Sequence, residues 1–280
     1  MGWRPEPVPG CSGLEGRHVS WDPRQFPRGR GEIQLHVEDR VAVVSLNNPD
    51  ARNAMSVGMM ADLCTAVDRL EQSGVSAVLI HGVAPAGFCA GGDLRDVRAH
   101  LLDSASAEGM PRVMGDALDR LSELNAVIVA AVEGAALGGG AELLTAADWV
   151  IAGEGARVGF VHAALGVSAG WGGARRLVRR VGHRAALPLL VQASRLRAEQ
   201  AKQIGLVDDV VADGATVEAA QEWIARVTRH PAASIHGALQ FLRSAREGSI
   251  DCGQVEREVF GRLWGGEDHQ RALDRVKAGG

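Results

Sequence analysis

The chain lacks cysteines at any metal-binding or disulfide spacing: Cys11, Cys64, Cys89 and Cys252 are scattered through 280 residues without a C-x-x-C pair. That pattern offers neither a zinc nor a disulfide framework and predicts a reducing compartment. Long apolar runs are also missing. Stretches such as Ala126 to Val132 fall far short of the roughly 20 residues a spanning helix needs, and no signal-peptide pattern is visible, so neither a membrane nor export is expected. Acids and bases are mixed along the chain to a formal net charge of -4, leaving no basic stripe for nucleic acid. Lys202 and Lys277 are the only lysines against many arginines, a skew read as coding bias rather than function. Nucleotide loops are absent too: Gly138-Gly139-Gly140 does not have the G-x-G-x-x-G spacing, and no Gly-Lys-Ser/Thr closes a P-loop.

With 46% hydrophobic residues, the chain can bury a full core as one large domain or a domain plus an appendage. Residues 1–31 hold five of the ten prolines and little apolar periodicity, and read as a loose extension. Glu6, Glu15 and Asp22 argue against a transit peptide there; the cytoplasm is expected, with the mitochondrial matrix as alternative. An α/β core is expected over 32–195. Ile33 to Val37 and Val41 to Leu46 suit a hairpin, and Ser56 can cap a helix carrying Met60, Leu63, Cys64, Val67 and Leu70 at helical spacing. Strands follow at 77–80, 127–132 and 149–152, with a helix starting at Pro111 and running to about Leu124. Residues 196–280 form a helical region, with helices at about 198–204, 215–229, 232–247 and 252–277 and a strand-like stretch from Leu206 to Val211; another helix precedes it at 172–191. Such a layer covers the sheet core or packs on another subunit.

The most informative feature is the run from Gly134 through Gly138-Gly139-Gly140 to Glu142, which closes a strand and opens a helix. First-turn N–H groups bared by glycine have no intrahelical acceptor and bind developing negative charge. A second strand ends similarly, through Phe88-Cys89-Ala90-Gly91-Gly92-Asp93. Two such corners can pinch one carbonyl oxygen between two amides. Glu142 lies one turn into the helix, where it can project near whatever the amides hold or simply favour the helix dipole. His162 is one of nine histidines; in an apolar stretch it is either a hydrogen-bonded core residue or the readiest proton donor near neutrality. Trp171 is plain core or the wall of an acyl pocket. Cys89 reads as a packed thiol, there being no partner base nearby in sequence.

These stretches resemble the crotonase (enoyl-CoA hydratase/isomerase) superfamily from about Glu32 to the C-terminus. The likeness is carried by Asn47 to Ala54, Phe88 to Asp93, Gly134 to Glu142, and Gly166 through Trp171-Gly172-Gly173 to Leu177. It implies a spiral of repeated ββα units, a helical C-terminal trimerisation region giving a homotrimer or dimer of trimers, and an acyl-CoA thioester as ligand. It also implies oxyanion amides at Gly92 and Gly139. CoA is then part of the substrate, and no separate cofactor or metal is implied. CoA would lie across the Arg52-Asn53-Ala54 turn and the Ala90 to Asp93 loop, with Arg52 meeting a phosphate or standing as a solvated turn residue. Hydratases of the family use two glutamates; Glu142 matches the first, but His162 stands where the second belongs. Phe160-Val161-His162 with Ser168 to Gly173 resembles instead the ethylmalonyl-CoA decarboxylase branch.

The expectation is therefore a lyase that decarboxylates ethylmalonyl- or methylmalonyl-CoA through an enolate held by the two amides, in an apolar surround including Phe160, Val161 and Trp171. His162, or else Glu142, then protonates C2. The rivals are a hydratase with His162 as base and a non-catalytic acyl-CoA-binding protein.

Overall fold

The computed structural model describes residues 21–246, 252–264 and 266–271. Strand β1 (Glu32–Glu38) turns back at Asp39, whose φ of 49° is left-handed, and pairs antiparallel with β2 (Val41–Asn47). Ser56 then caps α1 (Val57–Ser73), its hydroxyl accepting from the Met59 N–H at 3.2 Å. The stripe Met60, Leu63, Val67 and Leu70 is buried as its spacing predicts; Cys64 is only half-buried.

From there the chain winds repeatedly between two sheets. Strand β3 (Ala77–Gly82) joins the larger sheet, Cys89 bridges to the smaller one, and α2 (Leu94–His100) follows. After α3 (Ser104–Ser122) come β4 (Val127–Val132) in the larger sheet, β5 (Ala135–Leu137) in the smaller, and α4 (Gly139–Leu144). The next turn repeats this with β6 (Trp149–Gly153), β7 (Arg157–Gly159) and α5 (Gly173–Val191), which is kinked at Gly182. This is the expected spiral of ββα units. The larger sheet has the order β1-β2-β3-β4-β6-β9, parallel from β2 onward, with β9 at Asp209–Val211. Every residue of β4 is buried, as expected of a central parallel strand covered on both faces.

Several details differ from expectation. Helix α3 starts at Ser104, capped by Asp103, and carries Pro111 in its interior. The cap and the buried stripe Met114, Ala117, Leu118 and Leu121 outweigh the roughly 3 kcal/mol that an interior proline costs. The smaller sheet, completed by β8 (Arg195–Arg197) in the order β5-β7-β8, is not legible in the sequence, because strands of three residues are too short to show alternation. Of Leu206 to Val211, only β9 is strand; Leu206 and Val207 are buried at the turn after α6 (Ala198–Gln203). The helix expected over 252–277 is α9 (Cys252–Leu263), which ends before a turn at Trp264, and residues beyond 271 lie outside the described ones.

The expected loose extension also divides. Residues 1–20 lie outside the described residues, but Trp21 is buried, donating its indole N–H to Ser106 Oγ at 3.2 Å and filling a notch at Gly109, where a Cβ would come within 2.0 Å of it. Helices α7 (Thr216–Thr228) and α8 (Ala232–Arg246) cover the far face of the larger sheet: Ala220, Ile224, Ile235 and Leu239 pack on Leu79, Val127, Val129 and Ile151.

Candidate active site

The two glycine corners lie side by side. Phe88 N–H donates to the Glu133 carbonyl at 2.7 Å, Cys89 N–H to Ala135 at 2.8 Å, and Leu137 N–H back to Cys89 at 3.0 Å. Beyond this ladder Gly91 takes φ +108°; a side chain there would approach Leu137 O to 3.0 Å and Gly139 N to 3.7 Å. Only a residue without Cβ lets the Gly91–Gly92 peptide sit against Gly138–Gly139. At the first corner, Gly91 O and Asp93 N–H both bond to Met55, passing over the Gly92 N–H. Gly139 opens α4, so its N–H has no intrahelical acceptor. Among the described residues neither amide donates to any protein group.

Glu142 is held from the other side. Its side chain is 2% exposed, and α5 approaches so closely that a Cβ on Gly173 would lie 2.4 Å from Glu142 Cγ. The Trp171 and Gly173 N–H groups donate to Oε2 at 2.7 and 2.9 Å, and Gly170 N–H donates to Oε1 at 3.2 Å. His162 Nε2 stands 3.0 Å from Oε1. Four donors match the roughly four lone-pair sites of an ionised carboxylate, which accepts only. Glu142 is thus turned toward His162 and the Gly170–Gly173 turn.

The same bond orients the imidazole. A carboxylate partner places a proton on Nε2, so in the neutral ring Nδ1 carries the lone pair. Nδ1 is buried and has no hydrogen-bond partner among the described residues. The ring lies beside the second corner, with Nε2 3.9 Å from where a Gly138 side chain would start, and 6.3 Å between ring centres from the fully buried Phe160. The Trp171 ring packs directly on Gly139, where a Cβ would come within 2.4 Å of it. Both Gly92 and Gly139 amides, the Glu142–His162 pair, Phe160 and Trp171 therefore belong to one region.

The expected CoA-binding segments also meet: Ala90 N–H donates to the Arg52 carbonyl at 3.1 Å. Arg52 is exposed, left-handed at φ 55°, and in no ion pair among the described residues. Ala54 is buried, and the Asp93 carboxylate caps α2 by accepting from Arg95 N–H at 2.9 Å, so that side chain is spent on structure. Cys89 is fully buried and burial pushes its thiol up to about 11, the state of a packed thiol rather than a nucleophile. A separate cleft of about 420 Å³, lined by Trp21, Cys64, Asp68 and Arg120, shares no residue with the corners.

Sequence reasoning missed Arg176, Thr145 and Asp119. Arg176 is buried behind the Trp171 turn, its Nη2 on the Trp171 carbonyl at 2.5 Å and its Nη1 on Asp119 Oδ1 at 2.6 Å. It belongs to a run of arginines from Arg175 to Arg180 in which no local signal separates it from its neighbours.

The chain is similar to several known proteins. The model of the enoyl-CoA hydratase/isomerase family matches residues 36–275. The chain is 41% identical over 255 residues to the ethylmalonyl-CoA decarboxylase of Danio rerio, covering 89% of this chain and 84% of that one, and 38% identical to the Mus musculus enzyme of the same name over 89% and 78%. It is also 33% identical to the 2,3-dehydroadipyl-CoA hydratase of Escherichia coli over 86% and 94%. Among solved structures, an enoyl-CoA hydratase/isomerase family protein from Hyphomonas neptunium superposes with a TM-score of 0.82 at 30% identity, covering 88% of this chain and 94% of that one.

Proposed function

The chain belongs to the enoyl-CoA hydratase/isomerase family, and within it we propose that it is an acyl-CoA carboxy-lyase that removes carbon dioxide from ethylmalonyl-CoA or methylmalonyl-CoA. The thioester oxygen sits between the Gly92 and Gly139 N–H groups. The bond from C2 to the carboxylate breaks, its electron pair forms the enolate, and carbon dioxide leaves. Donors aimed at an oxygen that becomes an anion stabilise the transition state more than the ground state, each by about 3 kcal/mol in comparable sites. Phe160, Val161 and Trp171 give the carboxylate an apolar surround that favours its departure as neutral carbon dioxide.

C2 then takes a proton from Nδ1 of the His162 imidazolium, which returns to the neutral form with Nε2–H still donating to the Glu142 carboxylate. Glu142 orients the ring and balances its charge without touching substrate. The proton consumed at C2 is replaced from solvent. CoA runs over the Arg52 to Ala54 turn and the Ala90 to Asp93 loop, with the exposed Arg52 guanidinium available to a phosphate.

The observation that carries this reading is the filled coordination of Glu142. Two-glutamate hydration needs carboxylate oxygens free to hold a water, and here His162 and three backbone N–H groups occupy them. The relatives named ethylmalonyl-CoA decarboxylase support the same substrate class. Incubating the purified protein with ethylmalonyl-, methylmalonyl- and crotonyl-CoA in parallel and identifying products by mass tests it. Butyryl- and propionyl-CoA are expected; 3-hydroxybutyryl-CoA from crotonyl-CoA as the main product would overturn it in favour of a hydratase, and no turnover in favour of a binding protein.

The assembly we propose is a homotrimer or dimer of trimers. Leu242, Phe260 and Trp264 are 58%, 59% and 64% exposed on α8, α9 and the turn that follows, and such large apolar groups are ones a second copy would cover. No helix among the described residues is long and apolar enough to cross a membrane. The free thiols of Cys64 and Cys89 suit the reducing cytoplasm, where the enzyme would act on branched malonyl-CoA esters of fatty acid metabolism.

A further inference from the structure

Arg176 lies in the first turn of α5, where a cation opposes the helix dipole, and it is 6% exposed. Burial lowers its proton affinity and Asp119 raises it again. Packing alone does not account for a guanidinium here, since an apolar side chain of similar volume fills such a space at no electrostatic cost.

Its nitrogens reach three elements. Nη1 donates to Asp119 Oδ1 on α3 at 2.6 Å, Nη2 to the Trp171 carbonyl at 2.5 Å, and Nε to Thr145 Oγ1 at the end of α4 at 3.2 Å. Two of these lead to Glu142 by separate routes. Trp171 supplies the shortest N–H to the Glu142 carboxylate, at 2.7 Å, and the Thr145 hydroxyl donates to the Glu142 carbonyl at 2.6 Å. One rigid fork therefore fixes both the cradle around the carboxylate and the backbone that carries it.

We infer that Arg176 is a positioning residue for proton delivery: it locks the Gly170–Gly173 turn to α4, keeps Glu142 aimed at His162, and so fixes the face of C2 that Nδ1 protonates. The inference rests on the decarboxylase reading with His162 as donor. A flexible ammonium cannot reach all three acceptors at once, so lysine substitutes only in part.

The test compares wild type, Arg176→Lys, Arg176→Met and Asp119→Asn on freshly dissolved methylmalonyl-CoA in D2O. It reads kcat, KM and the configuration of deuterium at C2 of the propionyl-CoA. Wild type places deuterium in one configuration. Arg176→Met lowers kcat about a hundredfold, the cost of a misplacement of about 1 Å, with KM little changed, and yields a mixture of configurations. Arg176→Lys falls between, and Asp119→Asn, which keeps the guanidinium but removes the charge of its outer anchor, shows a smaller loss with the same mixing. A single configuration in every folded variant, with kcat losses that only track loss of folded protein, would overturn the inference. Should Arg176→Met not fold, Asp119→Asn decides: unchanged kcat and configuration overturn it. Mixed deuterium in the wild type would sink the His162 donor itself, and with it this inference, before Arg176 is touched.

Discussion

His162 and His81 are both partly enclosed imidazoles with a polar neighbour, yet the structure uses them differently. His81 Nε2 meets Ser45 Oγ at 2.8 Å across the β2–β3 register, and its Nδ1 meets the Gly82 carbonyl at 3.2 Å. Both nitrogens are spent, and burial holds the ring below the ordinary histidine range. His162 spends Nε2 on Glu142 and, among the described residues, leaves Nδ1 buried without a partner, beside two backbone N–H groups that are also unspent. A histidine with both nitrogens paired is structure; unfilled hydrogen-bonding capacity gathered in one place is what the proposed substrate site rests on.

The sharpest way to break that contrast is to truncate each ring. His162→Ala should lower kcat for ethylmalonyl-CoA by about 10²- to 10⁴-fold, the usual worth of a positioned acid, while His81→Ala leaves kcat unchanged in the same assay. Equal losses would end the distinction. Next in size is Gly139→Ala. Its Cβ would meet the Trp171 ring at 2.4 Å, and displacing the proposed oxyanion donor should cost about 10²- to 10³-fold in kcat, accompanied by about 1–3 kcal/mol of overpacking seen in urea unfolding.

Glu142→Gln should do less to catalysis than His162→Ala but register in stability. An amide turns half of the carboxylate into a donor facing N–H groups already in place, and each buried donor left unsatisfied costs about 1–3 kcal/mol. A larger kcat loss than for His162→Ala would reassign the proton to Glu142. The smallest effect concerns pH. The unfolded chain protonates His81 near its ordinary 6.5, whereas burial keeps the folded ring neutral to lower pH. Unfolding thus takes up a proton in that window, and stability is full above it and declines as pH falls from about 6.5 through the folded value. His81→Gln should flatten part of that slope in acid-unfolding curves.

Much of this site could be read from local pattern. The glycine corners, Ser56, the α1 stripe and the all-apolar β4 each follow from spacing that short-range physics reads, and Glu142 follows from its place one turn beyond Gly139. What could not be read depends on contacts distant in the chain. Glu142 and His162 face each other only after β6 and β7 return the chain to the corner. Arg176 is distinguished from Arg175 and Arg180 only by where α3 and α4 lie. Trp21 is buried because Gly109 leaves room for its ring. The smaller sheet leaves no sequence signal because its strands have three residues each, fewer than two full alternations.

Helix α2 buries none of its residues, and Leu94, 57% exposed, stands just two positions after Gly92. Val97 of that helix packs against the core and Asp96 accepts from the Val57 N–H at 2.9 Å, so only its outward positions, Leu94 among them, can change without touching the core. Substitution at Leu94 should therefore tune which acyl groups are accepted near Gly92 at little cost in stability, whereas any side chain at Gly173 would run into Glu142 Cγ at 2.4 Å.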